Sequence, residues 1–562
     1  MILCFILLFR QISLDAQQPS VMDKIVRYTG TDDPQELELE VVEKLEHFID
    51  NPVQINVLSE SELRSCGLFT HYQVAVISEY ISRHGVIRSL SELSLLDGFG
   101  EEFSSKVAPF ITLVAYPDTS GKITHEISSR SGMRKYWDED WEGSYGFKYR
   151  IDASGKFSGT VAASRSYGYE TWLPSAMTLS LAWKLRRIPL RIVAGDFNAR
   201  FGQGLVLWNN SFLSGLAAPD NFMKKPSGIT QSWSFTGSSS LTGIAADFVS
   251  GKFQISAVSA FSNLKTSLNS PEKLQFMPAL NVGWYGRYGQ VSMTNVAYIS
   301  IYDKSFACKT GIDAAFCIKG VNIFGEAAYD WHIHCPSLLV GSRFKPSENL
   351  DMALLAQSDF ISQYDAACSI LLGVPSSRIT CSLEATYYPV SKEVSTPCSI
   401  QLKSQLSCEF DLASNWKLKL RLSERIRNWG FNFRTDARAD IVYHINRTQV
   451  SARLNVLNCD LTSFLSYLEY GYVGDALKVY LRQGLFFVDD WDDRIYVYER
   501  DAPGSFNSPA MYGRGVWTSI YTNLSLSRSL RLYIRASVID YPFMQKKKPG
   551  KAELKLQIQY SF

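Results

Sequence analysis

From residue 123 to the C-terminus, apolar and polar positions alternate with a period of two. "SNWKLKLRLSERI" sets Trp416, Leu418, Leu420 and Leu422 against Lys417, Lys419, Arg421 and Ser423, and "SLRLYIRASVI" sets Leu530, Leu532, Ile534 and Ala536 against Arg531, Tyr533, Arg535 and Ser537. On a strand those two sets lie on opposite faces. A soluble sandwich alternates too, so the pattern alone does not choose. Three features favour a membrane barrel. The charged face is unusually rich in Lys and Arg, the pattern runs for about 440 residues without a helical interruption, and tight turns such as "DASGK", "VSGK" and "IKGV" alternate with longer loops.

The chain end adds a fourth feature. In "KAELKLQIQYSF", Ala552, Leu554, Leu556, Ile558, Tyr560 and Phe562 share one face. A terminal amphipathic strand closing on an aromatic residue resembles the recognition strand of bacterial outer-membrane barrels, and as a free edge in water it would invite aggregation. Counting candidate segments predicts roughly 22 to 26 antiparallel strands, even in number.

The period changes upstream. In "DPQELELEVVEKLEHFID", Leu37, Val41, Leu45 and Phe48 recur at helical spacing, with Asp32 or Asp33 as cap, Pro34 in the first turn and Pro52 as the stop. Shorter helical segments follow, punctuated by Gly67, Gly85, Gly98 and Gly100. The expected class is therefore α + β and multidomain. A small all-α domain spans 21–113, a linker 114–122, and a large antiparallel transmembrane β-barrel 123–562. Residues 1–16, with an apolar core from Ile2 to Phe9 and small residues before Ala16, predict a secretory signal peptide.

Charge sharpens that division. Residues 21–113 hold 7 Lys and Arg against 16 Asp and Glu, a net of −9, whereas the region after residue 113 carries a net of +11. Aromatic residues make up 13% of the chain, which suits half-buried pleated surfaces. The ten cysteines, eight of them scattered from Cys308 to Cys459 through the strand-rich region, show no metal or disulfide-scaffold spacing.

Within 55–113, "INVLSESELRSCGLF", "ISEYISRHGVIRSLSEL" and "LLDGFGEEFSSKVAPFITL" resemble the tandem helix-hairpin-helix domain of the competence protein ComEA. The resemblance implies that the hairpin turns, Gly67 and Leu68 in the first and Gly98, Phe99 and Gly100 in the second, bind a partner or DNA through backbone N–H groups at a helix N-terminus. Phe69 stands where the first turn would carry its second glycine. Four Lys and Arg against seven acids in 55–113 argue against duplex DNA, whose binding rests on neutralising phosphates. Together with "AGDFNARFGQGLVLWNNSF" and "DDWDDRIYVYERDAPGSFNSPAMYGRGVW", the domain resembles a group of Bacteroidetes outer-membrane proteins with an N-terminal helix-hairpin-helix region. That likeness implies an outer-membrane location with the small domain in the periplasm.

Candidate chemistry is thin. The glycines of "GDFNARFGQG" are not followed by Lys-Ser/Thr and do not make a nucleotide loop; Gly202 and Gly204 suit a kink, a bulge or an inward-folding loop. The acidic runs "YWDEDWEG" and "DDWDDR" lack the spacing of a Ca²⁺ loop and read as solvated loops. Asp330, His332 and His334 are expected on one face of a strand and are the weak metal candidates. No catalytic Ser/His arrangement stands out, so no enzyme activity and no cofactor is expected. The reading is a non-enzymatic outer-membrane barrel in contact with membrane lipid, whose periplasmic domain docks an envelope protein in assembly, secretion or transport. DNA binding or uptake through the ComEA-like domain is the alternative, and a barrel enzyme the remote one.

Overall fold

A closed antiparallel barrel dominates the computed structural model, which describes residues 20–31, 34, 37, 39–114, 123–153, 155–185, 187–209, 216–235, 240–262, 274–360, 362–374, 376–389, 399–413, 415–427, 432–544 and 549–562. The expected signal peptide, the Asp32 and Asp33 caps and nearly all of the linker lie outside these residues. Twenty-four strands form the wall, from Ile123–Tyr136 to Lys551–Ser561, each paired with its neighbours in sequence. The ring closes where the last strand pairs with the first, Ser561 opposite Glu126 and Lys551 opposite Tyr136. Beyond the last ladder pair, Phe562 and His125 exchange both backbone hydrogen bonds.

Alternation explains the wall. Leu554, Leu556 and Ile558 stand exposed on the outer face while Glu553, Gln557 and Gln559 are buried inside, and the same holds for Leu179 and Leu181 against Thr178 and Ser180. A one-residue slip would turn the apolar set inward, so the pattern pins the register. Exposed aromatic residues gather at both strand ends, among them Trp183, Trp284 and Trp416 at one and Trp137, Phe306 and Trp331 at the other. An apolar band between two aromatic girdles is the surface of a barrel that spans a bilayer. No described helix is long and apolar enough to cross a membrane.

The two ends differ. At one, neighbouring strands join through short turns such as Ala153 to Phe157, Ser250 to Phe253 and Ile318 to Val321, and the barrel's first and last residues lie there. At the other, connections are longer, and two of them fold inward: 201–227, described at 201–209 and 216–227, and 489–512.

Among the described residues the helical module has six α-helices: α1 Val21–Thr29, α2 Leu39–Asp50, α3 Glu60–Ser65, α4 His71–His84, α5 Leu90–Ser94 and α6 Gly100–Val107. Ser20 caps α1 and Thr70 caps α4, each in a reciprocal capping box. The Ser20 signal lies outside the periodic stretch that begins at Leu37, and α1 is short, so its apolar stripe is legible only once Ile25 and Tyr28 are seen packed in the core. That core joins Val41, Leu45, Ile55, Leu63, Phe69, Ile77, Leu93 and Phe110, and it is extended by Tyr498 and Phe506 from the inward loop 489–512.

Candidate functional site

The acidic module sits in the short-turn mouth of the barrel, and its charged side chains meet the rim on several sides. Lys184 pairs with Glu62 at 2.6 Å, Arg287 with Glu79 at 2.8 Å, Arg378 with Glu102 at 3.3 Å and Arg531 with Asp50 at 2.8 Å. His71 Nε2 lies 2.6 Å from the Gly286 carbonyl, and Arg150 donates to the His47 ring. Farther inside, Lys148 lies 3.7 Å from Glu43, and Asn198 donates to Glu40. The opposite net charges of the two regions are thus met across this seam.

The inward loops complete the seat from within the lumen. In the first, Gly202 and Gly204 take φ values of 60° and 93°, which turn the chain so that the N–H groups of Gln203, Leu205 and Val206 donate to the Glu326 carboxylate at 2.6, 3.1 and 3.2 Å. A Cβ at Gly202 would come within 2.8 Å of that carboxylate. The inward-fold reading of the "GDFNARFGQG" glycines is therefore the one the fold adopts. The loop then reaches the module, where Lys225 donates to the Leu68 carbonyl at 3.1 Å and Asp220 meets Lys106 at 3.4 Å and Arg343 at 2.6 Å. From the second loop, Gly504 N donates to Glu46 at 3.3 Å, while Lys555 holds Asp501 at 2.7 Å.

Burial at this seam shifts several groups. It lowers the Lys225 ammonium to about 8 despite Asp220 nearby, and lowers Lys44 to about 8. Burial pushes Glu46 up to about 8, with Glu43 and Asp50 adding to the shift and the Gly504 N–H opposing it. His47 is held well below its usual range by burial and by Arg150. Burial alone would raise Asp220, but Arg343 and Lys106 hold it well below the ordinary carboxylate value.

The hairpin residues singled out in the sequence lie at or near this seam. Gly67, at φ 67°, packs toward Lys44 and Ser227, and Leu68 is buried with its carbonyl accepting from both Tyr28 and Lys225. In the second turn, Gly98 accepts from Gln73, Phe99 is buried in the module core, and a Cβ on Gly100 would meet Glu348 of the barrel rim at 2.9 Å. Glu102, next to that turn, pairs with Lys106 and Arg378, and these cations lower its pKa against the pull of burial.

Asp330, His332 and His334 do not share a strand face. The strand Val321–Asp330 ends at Asp330, and 331–334 form an exposed turn in which Asp330 accepts from the N–H groups of His332 and Ile333. His334 takes φ 53°, and both His332 and His334 are exposed in the turn. The period-two pattern continued through "YDWHIHC" and hid the turn. Among the described residues, oxygens of Asp460, Asp490 and Asp492 come within 4.8 Å of one another on the exposed long-loop side. The neighbouring Asp493 is buried and accepts from Asp460 N and Leu461 N, as in an ordinary loop brace. The eight described cysteines are all free thiols.

No family profile matches the sequence, and no curated protein matches it. Among solved structures, the siderophore receptor PirA from Pseudomonas aeruginosa is similar over 78% of this chain and 80% of its own, at 6% identity and a TM-score of 0.42. The P pilus usher (PapC) translocation pore is similar over 78% and 99%, at 10% identity and a TM-score of 0.39. OpdQ from Pseudomonas aeruginosa is similar over 78% and 97%, at 10% identity and a TM-score of 0.28.

Proposed function

We propose that the protein is a non-enzymatic outer-membrane conduit shut at its periplasmic mouth by its own acidic helical module, and that an envelope partner opens it by drawing the module away. The observation that carries this reading is the seam of ion pairs joining Asp50, Glu62, Glu79 and Glu102 to four separate points on the basic rim. Short turns and both barrel termini lie at that mouth, which is the periplasmic arrangement for barrels of this kind. Such a module docks first on its own barrel, and the envelope protein that recruits it competes for the same acids.

The DNA reading has less room. A duplex held at the glycine turns would need Gly67 and Leu68 clear of Lys225 and Ser227, and Gly100 clear of Glu348. It would also bring phosphates up to Glu102.

The test is charge reversal at the seam. Asp50→Lys, Glu62→Lys and Glu79→Lys together place like charges against Arg531, Lys184 and Arg287. In planar bilayers the full-length wild type is expected to stay closed and the triple variant to conduct, with closure restored when the three barrel cations are changed to Glu. Equal conductance in all three proteins would refute the gate.

A further inference from the structure

One strand stands apart from the rest of the lumen wall. In Trp416–Arg427 the inward positions are Lys417, Lys419, Arg421, Ser423, Arg425 and Arg427, so five of six are cationic. Rungs about 7 Å apart carry positive charge from the long-loop end to the module seam. Its neighbours reinforce the upper rungs. Lys403 lies directly opposite Arg425, and Arg434 lies opposite Arg425 on the other side. Outward Leu406, Leu420, Leu422 and Phe433 fix the facing of all three cations as inward.

Like charges placed directly across a sheet are destabilising, and here three stand in one row. The lower rungs are neutralised, since Lys417 meets Glu409 at 2.6 Å and Lys419 meets it at 3.9 Å. The upper row differs. Glu384 stands beside Lys403 in register, yet among the described residues neither Lys403 nor Arg425 has a carboxylate within ion-pair distance. Arg434 donates to the Asp492 and Arg494 carbonyls. The row is also open. Lys403, Arg425 and Arg434 remain half-exposed, whereas inward residues elsewhere on the wall, such as Ser180, Asn281, Ser369 and Glu469, are buried under the module and inward loops. A low-dielectric barrel wall focuses the field of such a row into the remaining water.

We propose that Lys403, Arg425 and Arg434 form a binding step for small multivalent oxyanions entering from the long-loop end, with Arg421 and the lower rungs continuing the path. Two guanidinium forks and an ammonium in one row suit phosphate groups, which accept paired N–H bonds. The inference rests on the conduit reading for its transport meaning, but the binding step is tested without conduction.

The probe is inorganic pyrophosphate, titrated calorimetrically into the full-length protein in detergent at low and at physiological salt. Saturable binding is expected, with affinity falling as salt rises. Lys403→Gln, Arg425→Gln and Arg434→Gln combined should weaken it by about 100-fold or more, since a charge-assisted hydrogen bond is worth roughly a factor of ten or above. The charge-keeping set Lys403→Arg, Arg425→Lys and Arg434→Lys should retain binding within about tenfold, which separates lost charge from a disturbed fold. No binding to the wild type at low salt, or equal binding to the Gln variant, overturns the site. Pyrophosphate binding together with a seam-reversed variant that never conducts would leave the anion step standing and remove the conduit reading.

Discussion

Glu46 shows how a single side chain reports on the seat of the module. Its carboxyl titrates at about 8 when docked, against an ordinary value of about 4.5, because burial, Glu43 and Asp50 disfavour its charge. A raised carboxyl pKa means that the docked state binds the proton more tightly, so docking is favoured at low pH and weakens as pH rises toward 8. His47 works in the other direction: its lowered pKa penalises docking once pH falls below the free imidazole value near 6.5. Lys44 and Lys225, lowered to about 8, ease docking only as pH rises beyond that point. Between about 6.5 and 8 Glu46 is thus the main group setting the slope, at most about tenfold in undocked population per pH unit, and Glu43, which burial also raises, adds to it with the same sign. Limited proteolysis of the intact protein across that range should show the module becoming more accessible with pH, and Glu46→Gln should flatten the profile while keeping the acceptor for Gly504. An unchanged slope would show that another group titrates. None of this is legible in "EVVEKLEHFID", where Glu46 and His47 read as solvated helix positions, because their burial comes from Gly504 and Arg150, far away in the chain.

At the scale of elements, the wall was largely written in the sequence and the loops were not. Alternation in "SNWKLKLRLSERI" and "KAELKLQIQYSF" gives strands with the right facing, because a lipid-exposed face and a polar lumen impose a strict period of two. The same rule misplaces "YDWHIHC", where a turn alternates by accident. The inward loop 201–227 was foreshadowed only by Gly202 and Gly204; its anchor, Glu326, lies on another strand and has no local signal. Replacing Glu326 with Ala strands three backbone donors, at a cost of about 3 kcal/mol or more. The expected consequence is release of the loop without loss of the barrel. Trypsin should then cut after Lys224 in folded protein, Lys225 being protected by Pro226, and Glu326→Gln, which keeps an acceptor, should show an intermediate rate. Wild-type resistance in Glu326→Ala would mean that Asp220 and Ser369 hold the loop unaided.

For the molecule as a whole, opposite charge on two parts of one chain becomes intelligible as a docked pair. The sequence showed an acidic region and a basic one, but not that the first fills the mouth of the second, since that depends on where the barrel closes and how far its loops fold inward. The two parts should respond differently to salt. The wall is held by a closed ring of backbone ladders and by lipid contact, which ions scarcely affect, whereas three rim pairs, Lys184 with Glu62, Arg287 with Glu79 and Arg531 with Asp50, are partly open to water. Exposed pairs contribute about 0.2 to 1 kcal/mol each, and near 1 M salt the screening length falls to about 3 Å. Losing all three would raise the undocked fraction by about threefold at the low end of that range and by about a hundredfold at the high end. Protease cleavage within 82–91, the end of α4 and its link to α5, exposed except at Val86 and Ile87, is expected to quicken in high salt while the barrel keeps its heat-modifiable mobility. The seam-reversed protein, whose like charges are screened by the same salt, should shift the opposite way and cleave more slowly. Parallel responses in the two proteins would mean that apolar packing through Tyr498 and Phe506, rather than charge, keeps the module in place.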